Sequence, residues 1–261
     1  HVYHVCYLTS KIKEINIEYK NSKYTLIQIP VPREFKLEQK IFEQRYTSLV
    51  LRIVKKYVKN EKQTIFHFNG VDALCLLKRI KTTFRSPIVT TAHFSRAQLM
   101  FDGNLTKTEN IDLDDINEND WIARSLREER EYYKNVSHII TVCDDMRQYL
   151  IHRFDILENK VSLIRNGIVF PERISNKDKL HLRKKYGFHS NDLILLYVGR
   201  IDKIKGLDWV IQAVEQLSSI IPNFRFIAAG QGDIQYLINK TKTSFGCISY
   251  TGFVDPQTIN E

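Results

Sequence analysis

The sequence predicts an α/β protein of two domains built on parallel sheets, and three observations predict it. Short apolar runs alternate with amphipathic stretches at helical spacing along the whole chain, which calls for parallel strands flanked by helices. Several of those runs end in glycine-bearing turns, at what would be the carboxyl edge of a sheet. Finally, 261 residues with 43% hydrophobic and 26% charged content suit two small domains more readily than one.

Residues 2–8 and 25–29 read as strands, the second ended by Pro30-Val31-Pro32, with a polar hairpin-like stretch between them. Residues 37–58 place Leu37, Ile41, Leu49, Ile53, Val54 and Tyr57 at helical spacing. Acids Glu34, Glu38 and Glu43 come early and Arg52, Lys55, Lys56 and Lys59 late, an order that complements the helix dipole. A basic amphipathic helix can lie on a membrane, but packing on a parallel sheet explains the same pattern. Strands over 65–68 and 88–91 then flank a helix over 71–81. A charge-rich helix over 121–134, a strand over 139–142, a helix over 146–154 and a strand over 161–164 complete a doubly wound first half.

Residues 166–192 would form the crossing into the second domain, with a helix over 180–186 ended by Gly187. The apolar run 193–198 reads as a buried parallel strand, ended by Gly199-Arg200. Lys205-Gly206 follows, and then Leu207, Val210, Val214, Leu217 and Ile221 at helical spacing. Strand, basic turn and helix make an anion cradle, because the first amides of a helix have no intrahelical partner and carry its positive end. Charge-assisted bonds are worth roughly 1.5–3 kcal/mol each, so Arg200 and Lys205 could add about 3–6 kcal/mol of affinity for a diphosphate. Spacing alone equally allows two solvated loop cations. A second strand over 223–230 ends in Gly230-Gln231-Gly232-Asp233; a helix over 234–240 and a third strand over 247–253 follow. Gln235 replaces the third glycine of a dinucleotide fingerprint, and Lys205 precedes Gly206 where a P-loop needs the reverse order.

The arrangement YVGRIDKIKG, followed by FIAAGQGD and ISYTGFV, is similar to the C-terminal nucleotide-sugar domain of the retaining glycosyltransferases of family 4. TIFHFNG (64–70), PIVTTAHF (87–94), SHIITVCDDMRQYL (137–150) and VSLIRNGI (161–168) fall in that family's order and spacing. The resemblance implies a GT-B fold of two Rossmann-like domains with parallel sheets. The acceptor-side domain would span 1–170 and the nucleotide-sugar-binding domain, incomplete, 171–261. It also places a first strand and glycine-rich loop ahead of His1 and a pair of glutamates beyond Glu261, so a fragment of a larger enzyme is expected.

The implied chemistry is retaining, metal-independent transfer of a sugar from a nucleoside diphosphate donor to a hydroxyl acceptor. Bacterial surface polysaccharide or glycan assembly is the implied setting. His93 would face the donor sugar, as the catalytic residue of the first domain. Arg200 and Lys205, with the amides near Gly206, would neutralise the diphosphate; Gly230 and Gly232 would let backbone approach the nucleotide, and Phe253 or Val254 would frame the base. Phe94 departs from the aspartate that often follows the histidine. His67 reads as a structural residue, Asn166-Gly167 as a turn needing a permissive backbone, and Cys143 as a thiol with no base beside it.

Composition bounds the alternatives. No apolar stretch nears the roughly 20 residues of a membrane span, and the first residues lack a signal-peptide pattern. A cytoplasmic location is expected, with peripheral contact at the inner face of an anionic membrane as an extension. Cys6, Cys75, Cys143 and Cys247 show no paired spacing, which favours buried free thiols over disulfides or metal ligands. The net charge of +9 is diffuse, since residues 171–261 hold 12 basic against 9 acidic groups and the rest 27 against 21. Residues 102–120, with seven acids and one lysine, read as a mobile loop. The expected partners are a nucleotide-sugar donor and a glycan or lipid-linked acceptor, with no cofactor and no metal. No zinc finger or helix-turn-helix pattern supports nucleic acid. Two other classes remain: a non-catalytic nucleotide-sugar-binding or scaffold domain, and a basic nucleic-acid-binding protein.

Overall fold

In a computed structural model the chain forms two compact units, His1–Asn166 and Gly167–Glu261. The structure describes residues 1–10, 12–31, 39–71, 73–101, 103–114, 120–168, 174–241 and 244–259.

The first unit opens with β1 (Val2–Thr9), β2 (Asn16–Asn21) and β3 (Tyr24–Pro30), a sheet in the order β1-β3-β2. β1 runs parallel to β3, whereas β2 pairs with β3 antiparallel, its turn closed by the Lys23 amide donating to Asn21 Oδ1 at 2.8 Å. The polar stretch expected between two strands is therefore itself a strand. Its large apolar residues Ile17 and Tyr19 are 40% and 74% exposed, so an edge held by backbone pairing left little hydrophobic trace.

Next come α1 (Gln39–Tyr57), β4 (Phe66–Phe68), α2 (Leu74–Thr83), β5 (Ile88–Ala92) and α3 (Arg96–Met100). α4 (Trp121–Asn135), β6 (His138–Thr141), α5 (Asp144–Phe154) and β7 (Val161–Leu163) follow, and β4 to β7 pair in parallel in chain order. α1 buries Tyr46, Val50, Ile53 and Val54, a stripe at helical spacing, while the expected core residues Ile41 and Leu49 stay exposed. The Tyr46 hydroxyl donates to the Ile29 carbonyl and accepts from the Leu8 amide, so this helix is bound to the first sheet. Glu34, Leu37 and Glu38 lie outside the described residues.

Among the described residues the strands of this unit form two sheets, with no described strand between β1 and β4. Both edges face a groove of about 760 Å³, floored by Val50, Val54, Leu76 and Ile80. The acidic stretch also differs from the mobile loop expected, in its described part. Thr108 and Leu113 are buried, the Arg130 guanidinium donates to the Leu113 carbonyl and Asp114, and Arg153 donates to the Ile111 carbonyl. Basic residues of α4 and α5 supply the order that an acidic segment could not supply itself.

The second unit contains α6 (Asn176–Lys185), β8 (Leu193–Val198), α7 (Leu207–Ile220), β9 (Phe224–Ala229), α8 (Ile234–Lys240) and β10 (Ile248–Gly252). The strands form a parallel sheet in the order β10-β9-β8. Leu207, Ile211 and Val214 of α7 join Phe224, Phe226, Ala228 and Leu237 in its core. α6 starts four residues earlier than expected because Ser175 Oγ accepts the Asp178 amide, an N-cap. β8 is not the buried strand expected: Leu193, Leu195, Leu196 and Val198 are 37–54% exposed. An edge position pairs it on one side alone among the described strands. The four cysteines are free, as half-buried rather than fully buried thiols.

Candidate functional site

The basic turn of the second unit is assembled almost wholly from short-range contacts. Gly199 and Arg200 leave the end of β8, and the Tyr197 hydroxyl donates to the Arg200 carbonyl at 2.6 Å. Asp202 caps the single 3-10 turn Lys203–Lys205 by accepting the Lys205 amide. Its other carboxylate oxygen lies 3.3 Å from the Arg200 guanidinium, which remains 68% exposed. Gly206 sits at φ 70°, ψ 21°, a left-handed conformation that glycine adopts without a Cβ penalty, and this bend sets the first turn of α7 directly after the cations. Arg200, Lys205 and the opening amides of α7 therefore meet within one turn, with Arg200 and Lys205 exposed.

Close backbone packing accounts for the next two predicted residues. A Cβ on Gly230 would stand 1.8 Å from the Gly199 carbonyl oxygen, and one on Gly232 would stand 2.2 Å from that of Ile201. These glycines let the turns after β8 and β9 touch, which the Ile201 amide to Gln231 carbonyl bond (2.8 Å) and the Ile201–Gly232 bridge fasten. The Gly230 amide donates to the Gly252 carbonyl at 2.8 Å, which draws in the turn carrying Phe253, 69% exposed, and half-buried Val254. All seven residues expected to bind the nucleotide thus fall on the carboxyl edge of one sheet.

Asp202 and Asp208 were not singled out in the sequence, although an acid before a short turn and another in the first turn of a helix are recognisable capping signals. The Tyr236 hydroxyl and then Lys240, whose Nζ is 3.1 Å away, hold the Asp208 carboxyl below the ordinary carboxylate range. Burial, and then Asp208 itself, push the Tyr236 phenol up to about 12.

In the first unit His93 follows β5 with its side chain exposed. Its Nε2 is 2.6 Å from Asn69 Oδ1, which follows β4, and the register pairing Phe68 with Thr90 brings the two loops together. The amide oxygen accepts, so His93 Nε2 is the donor of this bond. Asn69 was missed because its partner lies 24 residues away. His67 bonds Thr91 Oγ1 at 2.8 Å, in keeping with a structural role. Asn166 and Gly167 fall at the boundary of the two units, and Cys143 stands at the N-cap of α5 beside Asp144 and Asp145. Among the described residues no cluster of three His, Cys, Asp or Glu side chains could hold a metal ion, and no helix is long and apolar enough to cross a membrane.

Comparison with known proteins accords with this architecture. Residues 12–169 match the profile of Glycosyltransferase Family 4 and residues 178–260 that of Glycosyl transferases group 1. An uncharacterized glycosyltransferase of Methanocaldococcus jannaschii, MJ1607, is 26% identical over 129 residues, covering 47% of this chain and 33% of that protein. Among solved structures, Anabaena HepE in complex with UDP and glucose superposes with a TM-score of 0.62 at 16% identity, over 88% of this chain and 56% of HepE. WaaG, a glycosyltransferase involved in lipopolysaccharide biosynthesis, gives 0.59 at 15% identity, over 93% of this chain and 60% of WaaG. The chain thus spans little more than half the length of these solved relatives. Its α/β architecture with parallel sheets is the GT-B fold they share, and with more than half of its residues matched by one profile, the chain belongs to glycosyltransferase family 4.

Proposed function

We propose that this chain is the donor- and acceptor-side framework of a retaining, metal-independent glycosyltransferase that moves a sugar from a nucleoside diphosphate to a hydroxyl acceptor. The observation that carries the reading is the turn between β8 and α7, which carries Arg200 and Lys205 at a sheet's carboxyl edge directly ahead of the α7 amides. Negative charge grows on the diphosphate as the glycosidic bond breaks. Cations and helix amides at that position stabilise it, a task that other enzymes give to a divalent metal. In the first unit, the exposed imidazole of His93 suits a sugar hydroxyl. Phe253 offers an exposed aromatic face to a base. HepE, solved with UDP and with UDP-glucose, makes uracil the first base to try, and WaaG makes a cell-surface glycan the first acceptor class.

Titration of UDP, GDP and ADP and their sugar conjugates, followed by ligand NMR with the Arg200→Ala/Lys205→Ala chain as control, tests the reading. Selective binding lost in the double variant is the expected result. Binding that survives it would remove the diphosphate from this turn.

A further inference from the structure

His93 and Asn69 are both exposed, and an exposed pair of side chains on two loops does not hold one geometry unaided. Their loops are anchored from a single helix. Glu129 of α4 is 0% exposed, and its Oε2 accepts from Ser95 Oγ at 3.0 Å and from the Arg96 amide at 3.1 Å, pinning the turn that begins two residues after His93. One helical turn along, Tyr132, also 0% exposed, donates its hydroxyl to the Gly70 carbonyl at 2.7 Å and lies 2.9 Å from Thr90 Oγ1. Gly70 directly follows Asn69. Arg96 closes the arrangement by reaching back to α4 at the Ser125 carbonyl and Glu128.

Holding a carboxylate out of water costs several kcal/mol unless its bonds offset that. Glu129 shares its helix face with Leu126, Tyr132 and Tyr133, all 0% exposed, where an apolar side chain would pack without that cost. Core packing alone therefore does not account for a carboxylate here, and two of its bonds go to the turn after His93.

We propose that Glu129 and Tyr132 are positioning residues that set the His93–Asn69 pair by clamping its two loops to α4. The proposal rests on the reading that His93 faces the donor sugar. The same clamp keeps His93 Nε2 as the donor to Asn69 Oδ1.

The imidazole signals of His93, assigned with His93→Gln, report the clamp directly in this chain. Glu129→Leu should release the turn and speed solvent exchange of the Nε2 proton by about tenfold, as loss of one hydrogen bond implies. Glu129→Gln, whose amide oxygen can accept both bonds, should restore the wild-type signals. Tyr132→Phe and Ser95→Ala, which each remove one anchor and retain the core volume, should shift the same signals by less, and they carry the test if Glu129→Leu does not fold. Wild-type His93 signals in folded Glu129→Leu or Tyr132→Phe, even with a lowered melting temperature, would overturn the proposal. The underlying reading is judged separately: His93→Gln with unchanged sugar turnover in the intact enzyme would remove His93 from the reaction while the exchange data still established the clamp.

Discussion

The two loops proposed to meet the donor are held in opposite ways. The basic turn after β8 is built from its own neighbourhood: Asp202 caps Lys205, Tyr197 holds the Arg200 carbonyl three residues on, and Gly206 supplies the bend. The turn after β5 depends on one distant side chain, the buried carboxylate of Glu129, which lies 34 residues from Ser95 and 33 from Arg96. Local caps leave cations exposed and able to adapt to a charged ligand. A buried long-range clamp instead fixes one geometry. The difference suits a diphosphate, whose recognition is electrostatic and tolerant, against a single hydroxyl, whose recognition is directional.

The contrast can be broken most severely where the basic turn does depend on a distant strand. Gly230→Ala would drive a Cβ to 1.8 Å from the Gly199 carbonyl oxygen, and we expect a loss of about 3 kcal/mol or more, read by urea unfolding. Recovery of wild-type stability would mean that the two turns do not touch. Next in size, Arg200→Ala or Lys205→Ala alone should weaken nucleoside diphosphate binding roughly 10- to 150-fold, with unfolding unchanged, by calorimetric titration. Equal affinity would show that the exposed cations are idle.

Smaller effects sharpen the distinction between local and distant support. Asp202→Asn keeps an acceptor for the Lys205 amide but removes the charge opposite Arg200. Because that pair is 68% and 34% exposed, stability should move by less than ~1 kcal/mol. Diphosphate affinity should rise slightly, as a competing anion is gone; a fall would make Asp202 an organiser of Arg200. Smallest is the acid limb. Asp208 has a folded-state pKa depressed below 3.8 by Tyr236 and Lys240, so its contribution is present above the unfolded value and disappears as pH falls through the folded one. Wild type should therefore lose slightly more stability than Asp208→Asn between pH 5 and pH 2, an interval of about that width around the carboxylate range. Parallel curves would show that the pair contributes nothing.

Legibility followed the same division. The parallel strands after residue 64, the amphipathic α7 and the cationic turn were readable because apolar period, glycine and charge order all act over a few residues. α3 was overlooked although Ser95-Arg96-Ala97-Gln98 carries a capping box that the structure bears out, with Ser95 and Gln98 exchanging bonds. Glu129 is not singled out within the charge-rich helix over 121–134. Its spacing from Leu126, Tyr132 and Tyr133 places it on the apolar face, a signal that was present and outweighed by the charges around it. Nothing local marks Asn69 as the partner of His93, since that bond depends on β4 lying beside β5.

By itself the sequence determined the alternation of strands and helices, the basic turn with its left-handed glycine, and the order of motifs that mark the family, because each of these depends on dihedral preference, capping and charge within a turn or two. Tertiary structure alone decided that Gly230 and Gly232 serve backbone contact between two turns and that α4 grips the His93 loop. Those outcomes depend on which distant segments share a sheet or a core, and a linear pattern does not encode which neighbour excludes water from which side chain.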